Sequence, residues 1–382
     1  MHRALRRLAA PIVVVPVVLS FGGAGATWGA SPGAHAAPRA PRAFEVSAPS
    51  TRSPQLERAE SAVVLVAFDG VRWQDVFDGA DRALTARRGL YPPAWSSPRA
   101  LMPSLYRGID RHGVAIGAPG HGAEVSVSGA QLISLPGYLE LFAGHPDPAC
   151  SSNECARPPA RTIADDVLES SGPGDVAVVT SWPNVARAAS ADPSRFVLTS
   201  GRRRVERASE LLGIPGMASM LDEGLRAGAS PGEGDYRPDA FTAAIALRVL
   251  QATQPRFLFV GLGDADEYAH RGNYPRYLQA LHDSDAFLGQ LDDALAGMGE
   301  RGRHTTVIVT TDHGRSRDFR DHGSRYPESA RIWLVASGDD VRARGFADAA
   351  RRYTLSDVAP TVRCLLGIDV GDRSPIAEIA GH

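Results

Sequence analysis

The sequence predicts an α/β fold with a doubly wound, mostly parallel central sheet that is flanked by helices and carries a small cap or insert region. Nearly continuous apolar runs alternate along the chain with segments of helical periodicity. Such runs are typical of strands that are buried on both faces of a parallel sheet. The stretch 184–235 is polar and rich in Gly and Arg, and it predicts the cap.

Each predicted element has its own local signal. The first strand, 61–68, is almost wholly apolar and ends at Asp69-Gly70, where the chain can turn. Four later apolar runs predict strands at 175–180, 256–262, 304–311 and 331–336. The clearest helical patterns are 238–254, 276–298 and 355–366. Because functional sites of such folds lie beyond the carboxyl ends of the strands, polar residues that follow these runs are the candidates for function.

Composition narrows the class of partner. The chain has 382 residues, 43% hydrophobic residues and a formal net charge of -2. This length allows one large domain or two modest ones. The near-neutral charge gives no electrostatic reason to expect a nucleic-acid polymer or an anionic membrane as partner.

The N-terminus resembles a targeting segment rather than a part of the core. Arg3, Arg6 and Arg7 precede an apolar stretch, and Ala34-His35-Ala36 fits a small-x-small cleavage pattern. A retained N-terminal anchor is the alternative, and no other segment is apolar enough to span a bilayer. The predicted division is a signal peptide at 1–36, a flexible leader at 37–57 and a catalytic domain at 58–382. The protein is therefore predicted to be exported, to a periplasm or to the extracellular space.

Cys150 and Cys155 bracket Ser-Ser-Asn-Glu. In an exported protein this spacing favours a small disulfide-closed loop, which we expect at the rim of the site beside the cap. A Cys/Cys zinc clip is the alternative, although no second pair lies nearby.

Residues of the types that bind metals follow three of the apolar runs. Asp69 ends the first, and Asp266 and His270 follow the third, with Asp264 as a rival carboxylate. Asp312 and His313 follow the fourth, and His322 comes nine residues later in a second Asp-His-Gly. Aspartate and histidine that converge at strand ends predict a two-metal site.

Ser134 is the candidate nucleophile. It stands where an N-cap belongs, with Pro136 early in the helix that follows. Free backbone amides at a helix start attract anions, and a hydroxyl there could bind a metal and attack a phosphorus atom. A plain capping serine is the alternative.

Taken together, these motifs resemble the alkaline phosphatase superfamily, in particular its branch of nucleotide pyrophosphatase/phosphodiesterases and related bacterial phosphatases. The resemblance runs from about residue 61 to residue 368 and follows the family's order of motifs. It ends at a C-terminal helix that contains Asp357 and Pro360. It implies one divalent ion on Asp266, His270 and His322 and a second on Asp69, Asp312 and His313. Zinc is the expected metal, and manganese is the alternative.

The resemblance also implies the chemistry, which is attack by Ser134 on a small-molecule phosphoester through a covalent phospho-enzyme. A sulfatase-like or a phosphomutase-like member of the same superfamily is the alternative. Sulfatases carry Arg where this chain has Tyr138, which counts against the first. The phosphomutases are cytosolic, so the predicted signal peptide counts against the second. A non-catalytic binding protein that keeps the fold is the alternative from another class. Arg72 and Asn184 are the predicted substrate-binding residues, and a surface arginine is the alternative for Arg72.

Overall fold

The fold was analysed in a computed structural model, which describes residues 61–87, 95–156 and 160–380. The predicted signal peptide and leader lie outside these residues. The strands are β1 Ala62–Phe68, β2 Gly113–Ile116, β3 Val125–Ser126, β4 Val176–Thr180, β5 Val197–Ser200, β6 Arg204–Glu206, β7 Phe257–Leu262, β8 Thr305–Thr310, β9 Arg331–Ile332, β10 Leu334–Ser337, β11 Gly345–Phe346 and β12 Tyr353–Thr354.

Helices connect and cover these strands. The α-helices are α1 Trp73–Phe77, α2 Arg82–Ala86, α3 Pro98–Leu101, α4 Pro103–His112, α5 Ser134–Ala143, α6 Ile163–Ser171, α7 Val185–Ala189, α8 Ala208–Leu212, α9 Met217–Arg226, α10 Asp239–Thr253, α11 Asp264–His270, α12 Tyr274–Gly297, α13 Glu300–Arg303 and α14 Val358–Leu365. Short 3-10 turns occupy Pro173–Asp175, Pro193–Arg195, Pro327–Ala330 and Leu355–Asp357.

Nine of the described strands form one mixed, largely parallel sheet in the order β11-β2-β10-β8-β1-β7-β4-β5-β6. The five neighbours from β8 to β5 are parallel, whereas β10 runs antiparallel to both β8 and β2. A small three-stranded sheet, β12-β3-β9, lies apart from it. The predicted α/β class with a mostly parallel sheet is therefore confirmed.

The core lies on both faces of this sheet. Along β1, Val63, Leu65 and Ala67 belong to one buried cluster, which includes residues of α5, α6 and α14. The alternate residues Val64 and Val66 belong to a second cluster, which includes residues of α10 and α12. This division explains why the strand sequence is continuously apolar, since each side chain enters one core or the other.

The predicted run 331–336 splits into two strands in the structure. β9 joins the small sheet, and β10 enters the main sheet beside β8. The strands β2 and β5 carry only four residues each, too short for a clear periodic signal.

The segment 184–235 is not wholly a cap, and this part of the prediction is too broad. Its residues 197–206 form β5 and β6 at the edge of the main sheet. The residues of β5 are all buried, but the polar sequence on both sides of them gives no clear strand signal. The excursion from the sheet is confined to about residues 207–235, which include α8 and α9.

Two further predictions concern the chain as an exported protein. Cys150 and Cys155 form the predicted disulfide, with their Cα atoms 5.3 Å apart. In the part of the chain that the structure describes, no helix is long and apolar enough to cross a membrane.

Candidate metal centre and nucleophile

The predicted metal ligands come together because the strands that precede them are neighbours. Asp69 follows β1, Asp312 and His313 follow β8, and α11 begins two residues after β7. The strands β8, β1 and β7 are adjacent and parallel, so their carboxyl ends meet at one edge of the sheet. Gly70 has a φ of +59°, and a Cβ atom there would collide with Oδ1 of Asp266. A glycine is therefore needed where the chain leaves β1.

The first ligand group is Asp266, His270 and His322. Oδ2 of Asp266 lies 3.2 Å from Nε2 of His270, and Nε2 of His322 lies 3.0 Å from the same nitrogen. Nδ1 of His322 is 3.1 Å from the carbonyl oxygen of Leu132, which orients the ring. Ligand atoms of the three residues lie within 4.8 Å of one another.

This arrangement suits a metal ion better than a set of ordinary hydrogen bonds. Two unprotonated imidazole nitrogens repel each other at 3.0 Å, and only a shared proton or a cation relieves that repulsion. Two nitrogens that each lie about 2.0–2.1 Å from one tetrahedral zinc ion are themselves about 3.3 Å apart. The observed spacing of His270 and His322 is close to that value.

The second group surrounds Nε2 of His313. Oδ2 of Asp312 lies 3.5 Å from this nitrogen and Oδ1 of Asp69 lies 3.6 Å from it. Asp69, Asp266 and His313 also offer ligand atoms within 4.8 Å of one another. Nδ1 of His313 lies 2.9 Å from the Gly314 carbonyl, so it donates there and turns the Nε2 lone pair toward the carboxylates.

One atom of the second group has no hydrogen-bond partner among the described residues. Oδ1 of Asp312 accepts from the backbone N–H of Gly70, but its buried Oδ2 accepts no hydrogen bond. An unpaired carboxylate oxygen is costly in a protein interior. Because the atom lies 3.5 Å from Nε2 of His313, a cation shared with that nitrogen would satisfy it. The donor set therefore fits two divalent ions.

The pKa values in this cluster reflect burial of many charges. Burial and the nearby Asp312 raise the pKa of Asp69 well above its usual range. Burial raises the pKa of Asp312 to about 8 and lowers the pKa of His313 to about 4. Burial, aided by His313, lowers the pKa of His322 to about 2. Burial thus disfavours the charged forms of Asp69, Asp312, His313 and His322.

Ser134 lies against the second group. Its Oγ is 3.2 Å from Nε2 of His313 and 3.4 Å from Oδ1 of Asp69. It is the first residue of α5, and Ile133 is the N-cap, so the predicted N-cap position is wrong by one residue. The expected free amides are also absent from the next two positions. The N–H of Leu135 donates to Oδ1 of Asn153 and Pro136 has none.

A cavity of about 140 Å³ opens over both groups. Ser134 lines it, and so do four of the six predicted ligands and several residues of the surrounding segments. The lining residues are Asp69, Ser134, Asn153, Trp182, Tyr236, Gly263, Asp266, Glu267, His270 and His322. The nucleophile candidate and both ligand groups therefore share one accessible space.

Arg72 does not line this cavity, and the structure contradicts its predicted contact with a phosphate oxygen. It is 1% exposed, and its Nε and Nη2 donate to the buried carboxylate of Asp75 at 2.7 and 2.9 Å. Nη1 donates to the carbonyl of Arg317. The alternative of a surface arginine is wrong as well, because Asp75 fixes the guanidinium inside the fold.

Asn184 is also outside the cavity lining, but it touches a residue that belongs to it. Its Nδ2 donates to the backbone carbonyl of Asn153, 3.0 Å away. Asn153 lies in the disulfide loop and lines the cavity beside Ser134. The sequence offered one signal for Asn153, its place in a closed loop predicted to lie at the rim of the site.

The rival carboxylate Asp264 faces away from both ligand groups. It accepts a hydrogen bond of 2.7 Å from Tyr236 and one from the backbone N–H of Asp239. Burial raises its pKa to about 8. Asp266, rather than Asp264, is therefore the carboxylate of the first group.

The C-terminal part of the chain matches a known family. Residues 234–370 match the model of the metalloenzyme superfamily, a segment that includes every predicted ligand except Asp69. An alkaline phosphatase, PafA, superposes with a TM-score of 0.53 at 12% identity, over 84% of this chain and 99% of the other. Residues 234–370 match the metalloenzyme superfamily, and the chain shares its fold with an alkaline phosphatase.

Two other proteins that resemble this chain have different activities by name. Murine ectonucleotide pyrophosphatase/phosphodiesterase 5, solved in complex with AMP, has a TM-score of 0.50 at 12% identity, over 83% of this chain and 97% of the other. A 2,3-bisphosphoglycerate-independent phosphoglycerate mutase of Shewanella baltica is 26% identical over 136 residues. The match covers 35% of this chain and about a quarter, 25%, of the mutase. The match of residues 234–370 to the metalloenzyme superfamily supports a metal-dependent enzyme with divalent ions, and the reaction is argued from the site.

Proposed function

We propose that this protein is an exported, two-metal phosphoester hydrolase with Ser134 as its nucleophile. The observation that carries the proposal is the position of Ser134 Oγ, which lies 3.2 Å from Nε2 of His313 and on the wall of the cavity that both ligand groups share. A hydroxyl that only caps a helix would bond to the backbone of its first turn. Ser134 instead contacts a histidine and a carboxylate.

The ligand residues would hold two divalent ions, with zinc as the proposed metal and manganese as the alternative, because mixed Asp/His sets suit both. The first set is Asp266, His270 and His322, and the second is Asp69, Asp312 and His313. Bound ions would stabilise the negative charge that develops on the attacking and leaving oxygens.

The residues of the chain supply orientation and the nucleophile. Ser134 loses its proton, its Oγ forms a bond to phosphorus, and the bond between phosphorus and the leaving oxygen breaks. The leaving alcohol takes up a proton. Water then attacks the phosphoserine, which releases the phosphate product and restores the hydroxyl. We assign Asn153 to bind a phosphoryl oxygen, since Leu135 N–H fixes its Oδ1 and its side chain lines the cavity.

The charge of the cavity wall favours a phosphodiester over a monoester. Of the described residues that line the cavity, none is Lys or Arg, whereas Glu267 adds a carboxylate beyond the metal ligands. A monoester brings up to two negative charges and a diester brings one, so a wall that adds no Lys or Arg to the two proposed metal ions favours the diester. Trp182 and Tyr236 offer aromatic surface to the alcohol portion of a diester.

The test is a paired assay of the zinc- and manganese-loaded protein. The substrates are p-nitrophenyl phosphate, bis-p-nitrophenyl phosphate and p-nitrophenyl sulfate, with Ser134→Ala as the inactive variant and Ser151→Ala as a control at an exposed serine. We expect the diester to react fastest, and we expect Ser134→Ala to lose turnover while keeping its metal. Faster sulfate hydrolysis, or an active Ser134→Ala, would contradict the proposal. A coupled phosphoglycerate mutase assay tests the phosphomutase alternative.

A further inference from the structure

Arg315 is a buried cation at the metal centre that the proposed mechanism does not use. It lies two residues after His313 and is 1% exposed. Each of its guanidinium nitrogens has a partner. Nη1 donates to Oδ1 of Asp266, Nε donates to the Phe319 carbonyl at 2.6 Å, and Nη2 donates to the Arg320 carbonyl at 3.2 Å.

The contact with Asp266 matters because this carboxylate lies within reach of both ligand groups. It joins His270 and His322 in one group and Asp69 and His313 in the other. A carboxylate with two open oxygens can bridge two cations. In this structure its Oδ2 faces Nε2 of His270 at 3.2 Å, while its Oδ1 holds the guanidinium.

We propose that Arg315 is a positioning residue that occupies Oδ1 of Asp266, so that only Oδ2 is offered to a metal and Asp266 serves the set with His270 and His322 alone. The inference rests on the metal site of the proposed function. It goes further because it assigns Asp266 to one ligand set and names Arg315 as the side chain responsible for that assignment.

The surroundings of Arg315 keep the guanidinium in place. Two backbone carbonyls hold two of its nitrogens, so it cannot leave Asp266 by a simple rotation. Its charge offsets those of the buried carboxylates around it. Its contact with Oδ1 of Asp266 is therefore fixed from two sides.

The same guanidinium also orders the loop that brings in the third ligand of the set. Phe319 and Arg320 precede His322 by three and two residues. Arg315 binds these two carbonyls and Asp266 at once. It therefore fixes the position of His322 relative to Asp266. Partners of metal ligands at this distance typically change metal affinity by about 10- to 100-fold when they are removed.

The test measures metal binding rather than activity. Arg315→Met removes the hydrogen-bond donors and keeps a side chain of similar length. Arg315→Lys keeps the charge but has one donor nitrogen in place of three. Arg317→Met is the matched control, because its side chain is exposed in the same loop. Affinities for two equivalents of Zn²⁺ come from competition with a chromophoric chelator. The coordination of each equivalent is followed by the visible spectrum of the Co²⁺-substituted protein, and the metal-free Tm is measured in parallel.

We expect Arg315→Met to weaken one equivalent by about tenfold or more, and to change the Co²⁺ spectrum of that equivalent as Oδ1 becomes a ligand. Arg315→Lys should lie between Arg315→Met and the wild type, and Arg317→Met should match the wild type. If Arg315→Met does not fold, the metal affinities of Arg315→Lys and Arg317→Met are compared instead, and weaker binding by Arg315→Lys supports the inference.

Two results would overturn the inference and leave the metal site in place. Unchanged affinities and spectra with a lower metal-free Tm would make Arg315 a purely structural residue, and tighter binding would make it a competitor of the metal. A wild-type protein that binds no metal would remove both this inference and the metal site. A wild type that binds two metals, responds to Arg315→Met and hydrolyses no ester would refute the hydrolase alone.

Discussion

Replacement of Arg72 by Met distinguishes a structural arginine from a substrate-binding one. In the structure Arg72 makes two hydrogen bonds to Asp75 and one to the Arg317 carbonyl, and it does not line the cavity. We therefore expect Arg72→Met to reduce the stability of the fold while leaving KM for the phosphoester unchanged at saturating metal.

The magnitude follows from what the substitution leaves behind. Asp75 is 0% exposed, and removal of one partner of a buried ion pair costs about 3–5 kcal/mol. Tyr274 and Tyr277 still donate to the carboxylate, at 2.5 and 2.9 Å, so the cost lies near the lower end, about 3 kcal/mol. The unfolding entropy of a domain of this size is about 0.7 kcal/mol per kelvin, so the expected fall in Tm is about 4–5 °C.

The assay compares thermal unfolding and steady-state kinetics of three variants. Arg82→Met is the control, since Arg82 is exposed in the adjacent helix α2 and its loss should leave Tm within about 1 °C. The double variant Arg72→Met/Asp75→Leu should recover part of the stability, because it leaves no buried charge. An unchanged Tm together with a tenfold rise in KM would refute this reasoning and restore Arg72 as a phosphate ligand.

Three further outcomes are expected. Glu267→Gln should raise kcat/KM for the phosphomonoester relative to the diester by several-fold in the paired assay, and an unchanged ratio would exclude Glu267 as the source of selectivity. His322→Ala should lower the occupancy of one ion more than that of the other by elemental analysis, whereas equal loss would argue against its grouping with His270. The metal-free protein should become less stable as pH rises from about 6.5 to about 8. Burial raises the folded-state pKa of Asp312 and of Asp264 to about 8, so each binds a proton that the unfolded chain has already lost. His313 and His322 have lowered pKa values and stay neutral in the fold, so they make stability rise with pH, but only below about pH 6.5, where the unfolded histidines are charged. A Tm in chelator that rises over this window would contradict the sign, and the metal-loaded protein, whose ligands are ionised, serves as the control.

The convergence of the candidate metal ligands could be predicted because local and global signals agree. Asp69 and Asp312 each follow an apolar run, and the ends of parallel strands share one edge of the sheet. The order of the strands could not be predicted from local patterns, yet this order determines which strand ends, and so which candidate ligands, lie side by side. β8, β1 and β7 are neighbours although they are far apart in sequence.

Other site residues could not be predicted because their roles depend on partners distant in the chain. Arg315 meets Asp266 49 residues away, and no local pattern distinguishes it from the exposed Arg317. The structure of the first turn of α5 was predicted wrongly for a similar reason. The amide of Leu135 is satisfied by Asn153, which lies in another loop.

Arg72 and Arg315 hold the same loop, yet only one of them touches a metal ligand. Arg72 donates to the Arg317 carbonyl, and Arg315 donates to the carbonyls of Phe319 and Arg320. If fixing this loop were all that the site needs from an arginine, both substitutions to Met would weaken metal binding alike. Because Arg315 alone reaches Asp266, Arg72→Met should lower stability at nearly constant metal affinity, while Arg315→Met should change the affinity of one ion. The difference between the two variants therefore isolates the contact with Asp266 from the order of the loop.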